Sequence, residues 1–348
     1  MNKVKITGRS IGEGEPVFII AEAGVNHNGD LNKAKSLIKA AQKAGADAVK
    51  FQTFTTDKLV SKNAPKTEYQ KRITGTSESQ YAMLKALELS YESYAILKEY
   101  SDSLGIAFLS TPYDEQSADL LEGIAIPAFK LSSADITNHG LLSHIASKDL
   151  PMIISTGMST LGEVEEAVKL VENIGNSKLI LLHCNFNYPA RIEDVNLRAM
   201  ITIKAAFQFP VGYSDHTMGI EVALAATALG ASVIEKHFTL DRRLPGPDHA
   251  ASLEPEELEL MIRGIRKVEM ALGSPRKEPK GEEMANRSIS RRSVAAEVDI
   301  PAGVTITKEM LAIKRPGTGI PPKALHLVTG RKARVNIEEG EVITWDKV

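Results

Sequence analysis

The chain has 348 residues, 43% hydrophobic and 25% charged, the balance of an ordinary globular protein and not of a disordered or fibrous one. A formal net charge of −2 argues against a nucleic-acid surface, and the single cysteine, Cys184, excludes an intramolecular disulfide and offers no thiolate metal cluster. No run approaches the ~18 apolar residues of a membrane span, and no long apolar core follows the basic opening MNKVKITGRS, so the sequence reads as a cytoplasmic protein with no membrane partner.

Eight short apolar segments follow, separated by amphipathic helical stretches. VFIIAEAG (Val17 to Gly24) leads into the turn Asn28-Gly29-Asp30, where Asp30 can cap a helix through Lys33 to Lys43. After DAVKFQTF (Asp47 to Phe54) comes an unusually long, polar crossover between Thr55 and Glu88; long insertions of this kind usually act as lids or substrate loops. AFLSTPY (Ala107 to Tyr113), AFKLSS (Ala128 to Ser133) and MIISTG (Met152 to Gly157) come next. Beyond the last of these, Leu161, Val164, Ala167 and Val171 fall on one helical stripe. LILLHCN (Leu179 to Asn185), PVGYSDH (Pro210 to His216) and VIEKHFT (Val233 to Thr239) complete the series, and a last helix is expected from about Pro255 to Leu272. Strand alternating with helix eight times predicts an α/β fold, a (β/α)8 TIM barrel, because parallel strands need crossover helices.

A barrel takes ~250 residues, which leaves chain for a second module. The charged, Pro/Gly-bearing stretch GSPRKEPKGEEMANRS has no sustained apolar period and reads as a linker. The barrel is assigned to residues 1–282, the linker to 283–290 and a small, mainly β module to 291–348. Strand-like pieces SVAAEVDI, VTIT and ARVNI mark that module. Its segment IKRPGTGIPP, Ile313 to Pro322, sets basic residues on a loop stiffened by prolines and able to approach closely at its glycines; alternatively it is a solvated surface turn.

The C-terminal strand ends of such a barrel form its active site. Here they carry Glu22, Lys50, Gln52, Thr111, Lys130, Ser133, Ser155, Asn185, Ser214, His216 and His237. Alternation sets Lys50 with Gln52, Ser214 with His216, and Glu235 with His237 on shared faces. A lysine inside an apolar strand is costly unless an anion or carboxylate compensates it. Glu22 or Glu235 could answer one lysine. Lys50 and Lys130 together with Thr111, Ser133, Ser155 and Ser214 point instead to a dianionic or trianionic ligand, such as a phosphate with a carboxylate. His216 and His237 end adjacent strands and can converge on a metal. Without a thiolate, and with space for water and substrate oxygens, an open octahedral site suits Mn²⁺ or Mg²⁺ better than structural Zn²⁺. His27, His183 and His249 stay unassigned, and Cys184 reads as a buried strand residue.

Ten segments in order carry a resemblance to a known family: AEAGVNHNGD, VKFQTF, LSTPYD, FKLSSADITN, ISTGMSTLGE, LLHCNFNYPA, VGYSDHTMGI, IEKHFTLD, PGPDHAASLEPEEL and KRPGTGI. Over nearly its whole length the chain resembles the bacterial sialic acid synthases and their nonulosonate relatives, which end in an antifreeze-like (SAF) domain. The resemblance implies an enzyme that condenses phosphoenolpyruvate with an N-acetylated hexose. It assigns phosphoenolpyruvate to Lys50, Thr111, Lys130, Ser133, Ser155 and Ser214. His216 and His237 match two metal ligands, for Mn²⁺ first, with Mg²⁺ or Co²⁺ as substitutes. Glu22 matches the acidic residue beside the reacting centre, and Gln52, Tyr188 and Asp248 match sugar contacts, with Asn185 placed beside them on substrate. Arg315 matches a tail arginine that reaches the N-acetyl group across a domain-swapped homodimer.

The chain departs from the family pattern at Ser133-Ala134-Asp135, where Ser-Gly-Glu is usual, at Tyr113, where Phe is common, and at Phe186, where Asn or Thr is common. Tyr113 and Asp135 are therefore counted with the substrate-binding residues, and these departures bear on the sugar. The acceptor implied first is N-acetylmannosamine, giving N-acetylneuraminate. The alternative is 2,4-diacetamido-2,4,6-trideoxymannose, giving N,N'-diacetyllegionaminate. Two other classes remain open: a Schiff-base aldolase using Lys50 or Lys130 on pyruvate, and a non-catalytic carbohydrate-binding barrel.

Overall fold

The structure, a computed structural model, describes residues 3–348. The chain divides into two compact units, the first ending at Gly273 and the second running from Ser274 to Val348.

The first unit opens with an antiparallel hairpin, β1 (Val4–Ile6) and β2 (Arg9–Ile11). Eight parallel strands follow: β3 (Phe18–Gly24), β4 (Ala48–Thr53), β5 (Ala107–Pro112), β6 (Phe129–Leu131), β7 (Met152–Ser155), β8 (Leu179–Cys184), β9 (Val211–Asp215) and β10 (Val233–His237). Their order is β5-β4-β3-β10-β9-β8-β7-β6, and β5 packs beside β6, so the sheet curls into a nearly closed barrel of the expected TIM type. The outer helices are α1 (Leu31–Ala44), α5 (Tyr91–Ser103), α6 (Glu115–Gly123), α7 (His139–Ala146), α8 (Leu161–Ile174), α9 (Ala199–Phe207), α10 (Glu221–Ala228) and α11 (Pro255–Leu272). Three further helices, α2 (Thr56–Leu59), α3 (Glu68–Thr74) and α4 (Gln80–Leu87), occupy the long crossover after β4.

The strands are apolar on both faces because both faces are covered. Phe18, Ile20, Leu109, Ile153, Ile180 and Val233 share the inner core with Val4, Ile6 and Ile11 of the hairpin. Ile19, Ala21 and Leu181 face outward onto Leu37, Leu97, Val171 and Ile265 of the helices. The hairpin thus closes the N-terminal end of the barrel with apolar side chains, and polar groups are left to the C-terminal end. Local signals agree with this arrangement. Asp30 accepts hydrogen bonds from the Asn32 and Lys33 amides at the start of α1. Thr160 and Glu163 form a reciprocal capping box on α8, which buries Val164, Ala167 and Val171. Leu161, expected on that stripe, is exposed at the first residue of α8.

The insertion after β4 has its own small core, in which Met83 and Leu87 pack on Val25 and Phe54. Glu88 accepts from the amide and hydroxyl of Thr56 at 2.9 and 2.7 Å. The buried Lys66 ammonium donates to Thr74 Oγ1 (2.8 Å), the Gly75 carbonyl (3.2 Å) and Glu78 Oε1 (3.0 Å), tying α3 to the start of α4.

In the second unit, residues 283–290 are not an extended linker: they lie in helix α12 (Glu282–Ser290), whose sequence EEMANRSIS contains no glycine or proline and begins with two glutamates that suit a helix N-terminus. The Gly/Pro-bearing stretch lies ahead of it, between Gly273 and Gly281. Strands β11 (Ser293–Ala296) and β12 (Leu311–Lys314) pair antiparallel, and a short helix, α13 (Leu325–Val328), follows. The VTIT and ARVNI segments contribute isolated bridges, Thr305 with Lys332 and Ile337 with Ile300. Val294, Ile300, Ile306, Ile320, Ile337 and Ile343 form this unit's core. Among the described residues, no helix is long and apolar enough to cross a membrane.

Candidate active site

Register explains why the charged residues meet. In the parallel ladder Glu22 pairs with Lys50 and with His237, and Glu235 pairs with Ser214, so their side chains share the inner layer at the C-terminal end. The expected residues Glu22, Lys50, Gln52, Thr111, Tyr113, Lys130, Ser133, Ser155, Tyr188, Ser214, His216 and His237 all line one cavity there.

Two buried ammonium groups organise its floor. Lys50 Nζ lies 2.8 Å from Glu22 Oε2 and donates to Thr111 Oγ1 at 3.2 Å. Lys130 Nζ donates to Ser155 Oγ at 2.6 Å and to the Leu131 carbonyl at 3.2 Å. Glu235 Oε1 stands between them, 3.8 Å from Lys50 and 3.6 Å from Lys130, and accepts from Ser214 Oγ at 3.0 Å. The Gly157 amide donates to Ser133 Oγ at 2.9 Å; a Cβ at Gly157 would come within 2.8 Å of that oxygen, so glycine permits the approach.

The two carboxylates are driven apart by their surroundings. Burial lifts Glu22 to about 7, against the pull of Lys50 and with help from Glu235. Burial also acts on Glu235, but the flanking Lys130 and Lys50 prevail and hold it below the usual carboxylate value. Burial draws Lys130 down against Glu235, whereas Glu22 and Glu235 keep Lys50 raised in spite of its burial. One carboxyl group is thus poised to carry a proton near neutrality while the other stays ionised.

Tyr188 stacks on His216 with ring centroids 4.1 Å apart and meets His237 edge-on at 5.3 Å; the two imidazoles are 5.5 Å apart. His216 Nδ1 donates to the Asn185 carbonyl at 2.5 Å. His237 Nδ1 is buried without a partner, and burial together with His216 and Lys50 keeps that ring neutral. A neutral imidazole with an unpartnered buried nitrogen, facing a second imidazole, has the chemistry of a metal donor. Among the described residues no cluster of three or more His, Cys, Asp or Glu forms a closed metal cage.

Four expected residues, Asn185, Asp135, Arg315 and Asp248, lie outside this cavity. Asn185 donates to the Asp194 carbonyl at 2.7 Å and lines a neighbouring cavity between α8 and α9; only its carbonyl serves the site, through His216. Asp135 turns to Asn138, at 3.3 Å, with its second oxygen buried and unpartnered. Arg315 belongs to the second unit, where it is exposed on the loop after β12.

Asp248 lines a second cavity of about 240 Å³ that shares Gln52, Tyr113, Phe186 and Tyr188 with the first. Burial lifts its carboxyl to about 6, against His216 and Lys50. Its loop is latched by Asn26, which donates to the Phe238 carbonyl and to Ser252 Oγ, while Ser252 donates to the Asp248 carbonyl at 2.7 Å. His27 and His249 belong to the same latch: His27 accepts from the Gly29 amide, and His249 pairs with Thr239 and Asn28. Burial holds both at about 4, hence neutral. His183 donates to the Val195 carbonyl.

The sequence reading left Glu235 and Cys184 outside the site. Glu235 shares a face with His237, and that alternation was the available signal. Cys184, beyond being a buried strand residue, lines the cavity 3.6 Å from Ser133 Oγ and 3.8 Å from His216 Nδ1. Tyr69, from the insertion, packs on Tyr188 at 5.1 Å and carried no strand-end signal at all.

Comparison with known proteins agrees with this geometry. Residues 37–277 match the NeuB family and residues 291–348 the SAF domain. The chain is 50% identical over 352 residues to the N,N'-diacetyllegionaminic acid synthase of Legionella pneumophila, covering 100% of this chain and 98% of that one. It is 39% identical to the N-acetylneuraminate-9-phosphate synthase of Homo sapiens, over 98% of this chain and 95% of the relative. Among solved structures, the N-acetylneuraminic acid (sialic acid) synthetase of Leptospira borgpetersenii superposes with a TM-score of 0.72 at 37% identity, covering 82% of this chain and 95% of the other.

Proposed function

This chain belongs to the NeuB family of sialic-acid-type synthases, and on that footing we propose that it condenses phosphoenolpyruvate with 2,4-diacetamido-2,4,6-trideoxymannose and water, giving N,N'-diacetyllegionaminate and phosphate. The observation that carries the reaction is the pair of buried lysines set among hydroxyls and opening toward two imidazoles. The sequence reading put N-acetylmannosamine first. The acceptor proposed here is favoured instead by the 50% identity to a legionaminic acid synthase and by the apolar insertion side chains at the second cavity.

Lys50, Lys130 and the hydroxyls of Thr111, Ser133, Ser155 and Ser214 hold the carboxylate and phosphate of phosphoenolpyruvate. C3 of the enol phosphate attacks the aldehyde carbon of the open-chain sugar, and the aldehyde oxygen takes up a proton. Water adds to the cation left at C2, losing one proton, and the C2–O bond to phosphate then breaks as the new C2 hydroxyl passes its proton to the departing phosphate, leaving the ketone and inorganic phosphate. Glu22, with its carboxyl near 7, is placed to pass a proton between water and the sugar oxygen. Gln52, Tyr188 and Asp248 orient the aldose, which makes the encounter effectively intramolecular. His216 and His237 would hold a divalent cation, Mn²⁺ first, which supplies Lewis-acid polarisation of the sugar carbonyl when bound. Arg315 completes the acceptor site from a second copy of the chain in this proposal; full activity of a chain ending after Gly281 would rule that out.

Phosphate release and product mass, measured with phosphoenolpyruvate, Mn²⁺ and each sugar in turn, test the reading. Preferred turnover of the diacetamido sugar is expected. Preference for N-acetylmannosamine would make the chain an N-acetylneuraminate synthase, and borohydride trapping of pyruvate on Lys50 or Lys130 would make it an aldolase.

A further inference from the structure

The helical insertion after β4 is the part of the barrel that the anion site does not use. Its Lys66 staple and its small core give it a defined shape, and it is built over the second cavity. There it presents Leu59, Val60, Met83 and Leu84, none of which bears a polar group, beside Gln70 and Gln80, whose side-chain amides bond to each other at 3.3 Å, and Tyr69, whose ring lies on Tyr188 while Tyr188 lies on His216. Aromatic contact therefore runs from the imidazole pair to the insertion, and the apolar side chains lie beyond it. An acceptor whose aldehyde lies beside His216 and His237 extends its far carbons toward this wall.

We propose that this insertion reads the C4–C6 end of the acceptor, with Leu84 as the specificity-determining residue that favours a 6-deoxy sugar with an acylated amine at C4, and Tyr69 as a positioning residue for either sugar. A methyl group at C6 and an acetyl methyl at C4 gain contact with Leu59, Met83 and Leu84, whereas a hydroxyl set against those three side chains loses its water and finds no partner among them. An apolar wall rejects an added hydroxyl only modestly, so the preference it creates is about ten- to a hundredfold. The proposal rests on the synthase reading above and deepens it.

The test compares kcat/KM for the two sugars, with the KM of phosphoenolpyruvate measured in parallel, in the full-length protein with Mn²⁺. Leu84→Gln should cut the ratio of diacetamido sugar to N-acetylmannosamine by about tenfold and leave the KM of phosphoenolpyruvate unchanged. Tyr69→Ala should raise the KM of both sugars, again without moving phosphoenolpyruvate, and Tyr69→Phe should restore it. If Leu84→Gln fails to fold, judged by its thermal unfolding midpoint, Val60→Gln on the neighbouring loop gives the same reading. A sugar ratio that stays within twofold in folded Leu84→Gln or Val60→Gln, or a change confined to phosphoenolpyruvate, would overturn the inference while leaving the synthase reading intact. Wild-type protein that turns over neither sugar would overturn both.

Discussion

Lys236 and Asp215 form a buried ion pair on the outer face of the barrel, and removing one partner should destabilise the fold as a whole. The ammonium lies 2.8 Å from Asp215 Oδ2 and donates to the Thr217 carbonyl at 2.6 Å; Asp215 Oδ1 accepts from the amide and hydroxyl of Thr217 at 2.9 and 2.7 Å. Lys236 is 1% exposed and Asp215 fully buried. They directly precede His237 and His216, so the pair fixes the outer face of two strands whose inner faces carry the imidazoles. Lys236→Met keeps the apolar stem but leaves a carboxylate in the core with only the Thr217 donors, and it strands the Thr217 carbonyl. The expected loss is about 3–5 kcal/mol, the range for breaking rather than replacing a buried pair. Asp215→Asn with Lys236→Met removes the charge and keeps an acceptor for Thr217, so the double variant should recover to within about 1–2 kcal/mol of wild type. Urea unfolding followed by circular dichroism, with the slope required to stay constant, measures both. A loss below ~1 kcal/mol for the single variant, or a double variant no better than the single, would refute the reasoning.

Glu22 sits at about 7 against an ordinary value of 4.5, so its contribution to stability is full below 4.5 and is lost as pH rises through 7. In metal-free protein, Glu22→Gln should therefore gain on the order of 3 kcal/mol relative to wild type between these limits in pH-dependent denaturant melts; parallel curves would contradict the burial argument. Lys130→Met removes one of the two cations of the anion site and should raise the KM of phosphoenolpyruvate by about a hundredfold, with the sugar KM little changed in steady-state kinetics. Lys66→Met cuts three hydrogen bonds within the insertion. Hydrogen exchange over residues 61–80 should accelerate about tenfold or more while the barrel strands stay protected. His237→Ala should abolish Mn²⁺ binding by calorimetry without lowering the unfolding midpoint of metal-free protein, since burial already disfavours that ring's charged form.

The barrel was readable because its grammar is local. Eight apolar runs such as FIIAEAG and LILLHC alternate with capped helices; Asp30 marks a helix start where one was expected, Thr160 caps α8, and Gly45 ends α1 where a left-handed residue is needed. Most of the cavity lining was readable for the same reason: a polar side chain at a strand end can point only inward or outward. What escaped depends on contacts between distant segments. Leu161 sits on the right stripe but is exposed at the start of α8, and Asn185 follows a strand yet turns its amide to Asp194. Tyr69 reaches Tyr188 only because Lys66 and the Phe54 cluster set the insertion down over the barrel. No periodicity within residues 55–88 encodes that placement.

Glu235 also explains how a barrel can hold two ammonium groups before any ligand arrives. Its carboxylate lies within 4 Å of both Lys50 and Lys130 and is kept ionised by them, so it serves as the resident counter-charge. A trianionic ligand entering the same space adds negative charge beside two carboxylates, and one of them must yield. Glu235 holds two cations and a serine hydroxyl and gives up its charge at great cost. Glu22 holds one cation and already titrates near neutrality. On the proposed reaction, binding of phosphoenolpyruvate would therefore draw a proton onto Glu22, release part of Lys50 to the incoming anion, and leave an acid beside the imidazole pair. The raised carboxyl of Glu22 is thus the consequence of its burial, which outweighs the pull of Lys50 and is reinforced by the neighbouring Glu235.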